Sequence, residues 1–250
     1  MALPTTPPNY NGSWKALQAS IRRGELNSWR VWALQNCMWQ DPSLRPSMEA
    51  TGGRDGSFGP GTEKSVKKWQ TDRKLIVDGI VGPQTQLAML AEAEHDVHAD
   101  VPGLPEGVLK GFSVAEGGSV LAATNWYTPP GDPPGVDLGP MQLRYLLPIA
   151  IGKMQEAFDP RFAMVVAGKT LLLRMDRLRR AQPQLSSPTV LRVALLAHNA
   201  PFLYEQVRLL GGLRTPNASA GWTWDPNKSR PYTHAEWYVE YPNRILVYVK

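Results

Sequence analysis

Two short stretches of the same design decide the fold of the first part of the chain. Residues 55–62 read Asp-Gly-Ser-Phe-Gly-Pro-Gly-Thr, and residues 78–85 read Asp-Gly-Ile-Val-Gly-Pro-Gln-Thr. The copies begin 23 residues apart and share Asp, Gly, Gly, Pro and Thr at matching places. Glycine adopts positive φ without a steric penalty and proline fixes φ, so Asp-Gly and Gly-Pro are turn dipeptides. The repeat therefore predicts two matching turns.

Helical patterns flank both turns. Residues 29–39 before the first turn, and the segments that follow Thr62 and Thr85, repeat apolar residues at helical spacing. Each threonine precedes such a pattern, so we expect its hydroxyl to cap free backbone N–H groups. The pattern predicts a small bundle of about three helices over residues 29–91.

Composition is that of a folded chain with one or two domains. The 250 residues are 42% hydrophobic, which is enough for a packed core. The longest apolar runs fall far short of the roughly 20 residues of a membrane helix, so we expect no membrane insertion. The single cysteine, Cys37, excludes an internal disulfide. Its apolar neighbours predict a buried thiol.

The net positive charge of the chain lies entirely in its second part. Residues 1–100 hold 11 Lys/Arg and 11 Asp/Glu, whereas residues 101–250 hold 16 and 11. A net positive charge favours binding of an anionic partner, and both nucleic acid and bacterial wall polymers are anionic. Solubility alone explains the charge equally well.

Composition also suggests the domain boundaries. Residues 1–28 are predicted to be a leader segment, with a Pro/Thr-rich start and no secretory signal pattern. Residues 92–104 are acidic and then rich in Pro and Gly, which predicts a solvated linker. His95 and His98 in this stretch do not have a recognised metal-ligand spacing. Residues 105–250 are dominated by helical patterns, so the chain as a whole is predicted to be mostly α.

Glu116 is the most informative carboxylate. It ends an apolar helical stretch and is followed by two glycines. Burial in an apolar pocket disfavours the charged form of a carboxyl group and raises its pKa. Such a group donates protons near neutral pH, which is the role of the acid in glycosidases.

Residues 29–91 resemble the small peptidoglycan-binding domain of many wall hydrolases. The resemblance rests on Trp-x-Leu-Gln at residues 32–35, on both Asp-Gly turns, and on Val-Lys-Lys-Trp-Gln at residues 66–70 between them. By this resemblance we expect contact with the wall from six residues: Asp55, Gly56, Phe58, Trp69, Asp78 and Gly79.

Residues 105–250 resemble the catalytic domain of soluble lytic transglycosylases and related phage endolysins, which share a lysozyme-like helical fold. Four segments match in order: Ala-Glu-Gly-Gly at 115–118, Gly-Pro-Met-Gln at 139–142, the helix that follows Asp-Pro at 159–160, and Ala-Leu-Leu-Ala-His-Asn-Ala-Pro at 194–201. Pro140 replaces a leucine of the family, and His198 replaces a tyrosine.

The resemblance implies a role for each matched residue. Glu116 is expected to be the acid/base, and Tyr241 to lie beside it and orient it. Substrate binding is expected from Gln142, Met141 and Asn199 in the cleft. His198 is expected to be a buried core residue, since it departs from the motif.

Two reactions remain open. A hydrolase needs a second carboxylate, and the candidates are Asp137, close to the Gly-Pro-Met-Gln segment, and Asp132 in the Pro-rich loop. A lytic transglycosylase needs none, because the N-acetyl group of the substrate assists and a 1,6-anhydro sugar forms. Goose-type lysozymes carry an Asp just after Met-Gln, whereas Leu143 and Arg144 follow here. The missing Asp favours the transglycosylase.

The expected protein is a peptidoglycan-cleaving phage endolysin. It would act as a monomer, with no metal or organic cofactor, and wait in the host cytoplasm until a holin releases it; a virion-attached lysin would look similar. A non-catalytic wall-binding or tail-tip protein is the alternative. Nucleic-acid binding is not expected, because neither the repeat nor the Glu116 motif has a role there.

Overall fold

Helices dominate the protein. The computed structural model describes residues 3, 5, 20–117, 121–127, 135–198, 201–210 and 241–249. The high helical content confirms the mostly-α prediction. No helix in these ranges is both long and apolar enough to cross a membrane.

The first part of the chain folds into four helices: α1 (Trp29–Trp39), the short α2 (Arg45–Glu49), α3 (Pro60–Asp72) and α4 (Pro83–Val97). The helices α3 and α4 begin with the proline of each repeat, because proline has no N–H to lose at a first helical position. Gly59 and Gly82 occupy the cap positions without a side-chain bond. The threonine caps predicted from sequence are therefore wrong: Thr62 and Thr85 lie inside the first turn of each helix.

One glutamine closes each Asp-Gly turn. The Gln35 side-chain amide donates to Asp55 Oδ1 at 3.0 Å and accepts the Gly56 N–H at 2.8 Å. Gln70 repeats this arrangement, with 2.9 Å to Asp78 Oδ1 and 2.9 Å from the Gly79 N–H. Both turn glycines have φ of +74°, a conformation in which a side chain is strained. The sequence repeat is thus a repeat of one hydrogen-bonded turn.

The packed unit begins before Trp29. Ile21 pairs with Val81 as an antiparallel bridge, and Gly24 N–H donates to Phe58 O at 3.1 Å. Ile21 and Val81 are fully buried. Residues 21–28, predicted to be part of a leader, therefore cover the second turn and complete the small domain.

The predicted linker is wrong over residues 92–104. α4 continues to Val97, and a 3₁₀ helix follows at His98–Asp100. Val101 and Leu104 are buried, and Val101 approaches Gly168 so closely that a Cβ there would lie 2.7 Å from Val101 Cγ1. An acidic, Pro/Gly-rich composition predicts a solvated segment. Here the few large apolar residues of the segment are buried and pack it against the second unit.

The second part of the chain contains α5 (Val108–Gly117), α6 (Leu147–Ala157), α7 (Pro160–Ala181), α8 (Ser187–Leu196) and α9 (Pro201–Leu210). Residues 241–246 are also helical. α7 is the helix that follows Asp-Pro at 159–160 in the third matched segment, and Asp159 caps it by accepting the N–H groups of Arg161 and Phe162.

A small antiparallel sheet was not expected from the sequence. Its strands β1 (Thr124–Tyr127), β2 (Gly135–Leu138) and β3 (Leu143–Leu146) lie in the order β1-β2-β3. β2 is buried on both faces, so it lacks the alternation of polar and apolar residues by which a strand is recognised.

The two parts share one hydrophobic core. Trp29 of α1 packs on Phe158 with ring centroids 5.4 Å apart. Arg161 of α7 donates from Nε to Asp96 Oδ2 of α4 at 2.8 Å. Cys37 lies within this core, and burial raises the pKa of its thiol to about 12, which confirms its prediction as a buried, unreactive side chain.

Candidate active site

Glu116 lies in the last turn of α5 and is held on both carboxylate oxygens. The Tyr241 hydroxyl donates a hydrogen bond to Oε1. His198 Nε2 lies 3.4 Å from Oε2. The Glu116 side chain is 11% exposed, and the His198 side chain is 24% exposed. The carboxyl group is therefore mostly withdrawn from water.

Gly111 in α5 and Gly107 just before it explain how Tyr241 reaches Glu116. A Cβ at Gly111 would lie 2.3 Å from Ile245 O, and a Cβ at Gly107 would lie 1.8 Å from Tyr248 O. Without these side chains, the C-terminal segment packs directly on the backbone of α5 and runs antiparallel to it. This direction brings Tyr241, at the start of the segment, to the Glu116 end of α5.

Tyr241 acts toward Glu116 as a neutral donor. Burial raises its pKa well above the usual value, and the negative charge of Glu116 and the hydrogen bond to it raise the pKa further. The hydroxyl therefore keeps its proton over the ordinary pH range. Tyr241 was expected beside Glu116 by resemblance, and the structure brings the two together.

His198 is the neighbour of Glu116 that the sequence reasoning missed. It follows α8 and packs edge-on against Phe112, with ring centroids 4.8 Å apart and planes at 81°. The ring is therefore not a buried core residue, as predicted, but a neighbour of Glu116. The sequence offered one indication, since His198 directly precedes Asn199 of a matched motif. No rule of sequence spacing, however, predicts that a histidine at this position lies beside Glu116.

Gln142 and Met141 form the turn between β2 and β3. Gln142 adopts a left-handed backbone with φ of +46°, and its amide donates to Gly139 O at 2.9 Å. Gly139 has φ of +77°, and a Cβ there would lie 1.8 Å from Ala157 O, so the turn sits tightly on the end of α6. This close packing fixes the Gly-Pro-Met-Gln segment against the end of α6.

A cleft of about 310 Å³ opens at this place. Apolar side chains of α5, α7 and α8 form most of its wall, and the polar part of the lining comes from Gln142, Arg144, Thr170, Arg174 and His198. Met141 also lines it, so both predicted binding residues of the β2–β3 turn face the same space. Burial lowers the pKa of Arg174. The cleft thus combines an apolar wall, amide and hydroxyl groups, and positive charge.

Asp137, one candidate for a second carboxylate, is held in an ion pair. It is buried on β2, and Arg144 donates to it from Nε at 2.9 Å and from Nη2 at 3.2 Å. Both carboxylate oxygens of Asp137 thus accept hydrogen bonds from one guanidinium group. The other candidate, Asp132, and the predicted binding residue Asn199 lie outside the described residues.

The wall-binding prediction fails for its two aromatic residues. Phe58 and Trp69 are 1% and 2% exposed, so they are core residues that cannot touch a polymer. Asp55 and Asp78 use their carboxylates to close the turns, and the two glycines provide the positive φ. These residues shape the domain, whereas the exposed apolar residues of the second turn are Ile76, Val77 and Ile80.

No group of three or more His, Cys, Asp or Glu side chains that could hold a metal ion occurs in the described ranges. His95 and His98 are exposed on α4 and the 3₁₀ helix, away from the cleft lining.

Comparison with known families identifies the first unit. Residues 44–89 match the family described as "Putative peptidoglycan binding domain". The match spans α2, α3 and the first half of α4, with both glutamine-closed turns. This peptidoglycan-binding domain supports a cell-wall-related protein that binds peptidoglycan. No curated protein matches the chain.

Proposed function

We propose that this protein cleaves the glycan strands of peptidoglycan at the β-1,4 bond between N-acetylmuramic acid and N-acetylglucosamine, with Glu116 as general acid and base. The observation that carries the proposal is a mostly buried carboxyl group that accepts a hydrogen bond from Tyr241 and lies 3.4 Å from His198, a residue that lines the cleft. The peptidoglycan-binding domain in the same chain supports this choice of polymer.

The proposed reaction is lytic transglycosylation. Protonated Glu116 gives its proton to the glycosidic oxygen, and the bond from that oxygen to C1 of the muramic acid breaks. The N-acetyl oxygen of the substrate bonds to C1 as the leaving sugar departs. The Glu116 carboxylate then takes the proton of the 6-hydroxyl, whose oxygen attacks C1 and displaces the N-acetyl oxygen. The product has a 1,6-anhydro end, and Glu116 is again protonated.

The state of Asp137 favours this route over hydrolysis. A retaining or inverting hydrolase needs a second carboxylate that attacks C1 or activates water. Asp137 is buried and bound through both oxygens by Arg144. Hydrolysis as in a muramidase remains the second candidate, because Asp132 lies outside the described residues.

The biological setting in the proposal is a phage endolysin that reaches the wall after holin-mediated release. The resemblance of residues 105–250 to endolysins motivates it. Expression in a bacterial host with and without a holin tests this setting: lysis only with the holin is the expected result, and lysis without it would contradict release by a holin.

Mass spectrometry of the soluble products from purified peptidoglycan tests the chemistry. We expect 1,6-anhydro-muramic ends from the wild type and none from Glu116→Gln. Glu156→Gln is the matched control, because it makes the same chemical change at a surface ion pair with Lys153. Reducing muramic ends would instead establish a muramidase. No released product from the wild type would overturn the catalytic proposal and leave a wall-binding protein.

A further inference from the structure

Arg174 brings an unbalanced positive charge to the cleft. It lies on α7 one turn after Thr170, and both side chains line the cleft. Burial lowers the pKa of the guanidinium, and the groups that raise it again are Tyr204 and Tyr241. Within the part of the chain that the structure describes, no carboxylate forms an ion pair with Arg174. Since a guanidinium stays protonated in proteins, this charge is partly withdrawn from water without an acid to balance it.

Other polar groups of the lining already have partners within the protein. The Gln142 amide donates to a carbonyl of its own turn, and the Thr170 hydroxyl donates to a carbonyl of its own helix. Arg144, the other arginine of the lining, donates to both oxygens of Asp137. Taking a charge out of water costs free energy, which a partner of opposite sign recovers. Of these two arginines, Arg174 is therefore the one whose charge a ligand can balance.

Arg174 lies near the candidate acid, through Tyr241. Arg174 and Tyr241 are close enough for each to shift the pKa of the other. The Tyr241 hydroxyl in turn donates a hydrogen bond to Glu116. A ligand group held by Arg174 would therefore belong to the sugar whose bond Glu116 protonates, or to a sugar next to it.

We propose that Arg174 forms a subsite for a carboxylate group of the substrate, and that N-acetylmuramic acid supplies this group through its lactyl arm. The inference rests on the proposed function for the identity of the sugar. Both sugars of the glycan strand carry an N-acetyl group, but only the muramic acid carries the lactyl arm. In a strand without peptides the arm ends in a carboxylate, and in an intact wall the peptide attached to the arm carries the carboxylates.

The chemistry of the guanidinium fits this ligand. Its planar fork donates two parallel N–H bonds to a carboxylate, and such charged bonds are about twice as strong as neutral ones. The apolar wall of the cleft strengthens the pairing further, because it screens charges less than water does. The muramic acid is also the sugar whose C1 changes its bond in the proposed reaction. Binding of its carboxylate by Arg174 thus selects which of the two sugars occupies the reacting position.

An NMR titration of the full chain with Glu116→Gln, a change that prevents turnover, tests the subsite. The probes are chitotetraose, which has no carboxylate, and a peptide-free tetrasaccharide of alternating N-acetylglucosamine and N-acetylmuramic acid. Binding is followed on the ring signals of His198, because this residue lines the cleft and lies outside the peptidoglycan-binding domain. We expect Arg174→Gln to weaken binding of the charged tetrasaccharide about 10- to 100-fold and to leave binding of chitotetraose unchanged.

A third probe, the same tetrasaccharide with its peptides, distinguishes the two sources of the carboxylate. A loss of affinity confined to this probe would assign the subsite to the peptide, whereas a loss with the peptide-free strand assigns it to the lactyl group. Equal losses for charged and neutral probes, or no loss for either charged probe, would overturn the inference. A cleft that binds none of the three probes would overturn it as well.

Arg179→Gln is the matched control, because it makes the same change on the same helix at an exposed position outside the cleft lining. Arg174→Lys keeps the charge but not the fork, so we expect its affinity to lie between those of the parent protein and Arg174→Gln. Arg174→Met removes the charge and keeps an unbranched side chain, so its unfolding temperature should not fall. A lower unfolding temperature together with weaker binding of every probe would make Arg174 a structural residue and contradict the subsite.

Cleavage gives a second measurement. For the charged probe whose binding depends on Arg174, we expect kcat/KM to fall about 10- to 100-fold in Arg174→Gln and to stay constant in Arg179→Gln. Equal kcat/KM in the wild type and in Arg174→Gln would overturn the subsite and leave the proposed cleavage intact. Absence of cleavage by the wild type would instead overturn the proposed function, and the NMR titration would still decide whether Arg174 binds a carboxylate.

Discussion

Glu94, on the last helix of the peptidoglycan-binding unit, accepts the backbone N–H of Gly107 at 2.9 Å, just before the helix that ends at Glu116. The same carboxylate accepts the N–H groups of Leu109 and Lys110, at 2.9 and 3.3 Å. These are the N–H groups that a helix start leaves without a partner. A buried acid of the first unit therefore caps α5 of the second, and buried hydrogen bonds join the two units at this point.

We expect the conservative change Glu94→Gln to lower the stability of the protein substantially, because it weakens this cap. Glu94→Gln removes the charge, retains only one acceptor oxygen, and buries an amide beside N–H donors. We expect the free energy of unfolding in urea to fall by about 1–3 kcal/mol. Glu156→Gln, at a surface ion pair, should change it by less than about 0.5 kcal/mol. Equal effects of the two variants would show that the Glu94 cap contributes nothing.

The contact between α5 and the C-terminal segment predicts opposite effects of two Gly→Ala changes. Gly111→Ala places a Cβ against Ile245 O, so we expect a loss of about 1–3 kcal/mol in unfolding free energy from the forced separation. Gly152→Ala, on exposed α6 with open space around it, should stabilise by about 0.5–1 kcal/mol. Calorimetry distinguishes them, and stabilisation by both would contradict the close packing.

The glutamine-closed turns predict a pH-dependent defect in Gln70→Glu. The hydrogen bonds from Ile80 N–H and Gln70 lower the pKa of Asp78. A lowered pKa means that this stability is present at neutral pH and is lost as the pH falls through the acid range. Gln70→Glu removes the amide donor and faces Asp78 with a second carboxylate. We expect a loss of about 1–3 kcal/mol at pH 7 that shrinks toward pH 4.

The control for Gln70→Glu is Gln84→Glu, at the exposed start of α4, where a negative charge is favourable. The expected change there is below about 0.5 kcal/mol. A Gln70→Glu defect that does not change with pH would show that lost hydrogen bonds, rather than paired carboxylates, cause it.

We expect the buried thiol of Cys37 to be alkylated slowly in the folded protein. Burial raises its pKa to about 12, so almost no thiolate exists at pH 8. We expect iodoacetamide to leave folded protein unmodified and to modify the single cysteine fully in urea, as measured by intact mass. The raised pKa also stabilises the fold below pH 9, and this contribution is lost as the pH rises toward 12. Rapid alkylation without denaturant would contradict the buried position.

We expect loss of the Tyr241 hydroxyl to slow turnover. Tyr241→Phe deletes the donor to Glu116 and retains the ring in the core. A hydrogen bond to a charged group contributes about 1.5–3 kcal/mol, so we expect kcat to fall by about 10- to 100-fold if Glu116 is the acid/base. Tyr248→Phe, in the same segment, is the control. Equal kcat values in both variants would show that the Tyr241 hydroxyl does not contribute to turnover.

The sequence by itself determined the features that depend on neighbouring residues. Asp-Gly and Gly-Pro predicted the two turns, because positive φ and fixed φ are local requirements. Helical spacing predicted α1, α3 and α4, and the apolar neighbours of Cys37 predicted a buried thiol. Motif order placed Glu116 at a helix end and Tyr241 near it.

Only the tertiary structure decided which polar groups meet. Composition predicted a solvated linker, yet Glu94 caps α5 and Val101 is buried, since the second unit covers both. Phe58 and Trp69 were assigned to wall binding, and packing made them core. His198 lies beside Glu116 because α8 crosses α7 and ends at the cleft. Such contacts join residues 82 positions apart, as His198 and Glu116 are, and no local pattern records them.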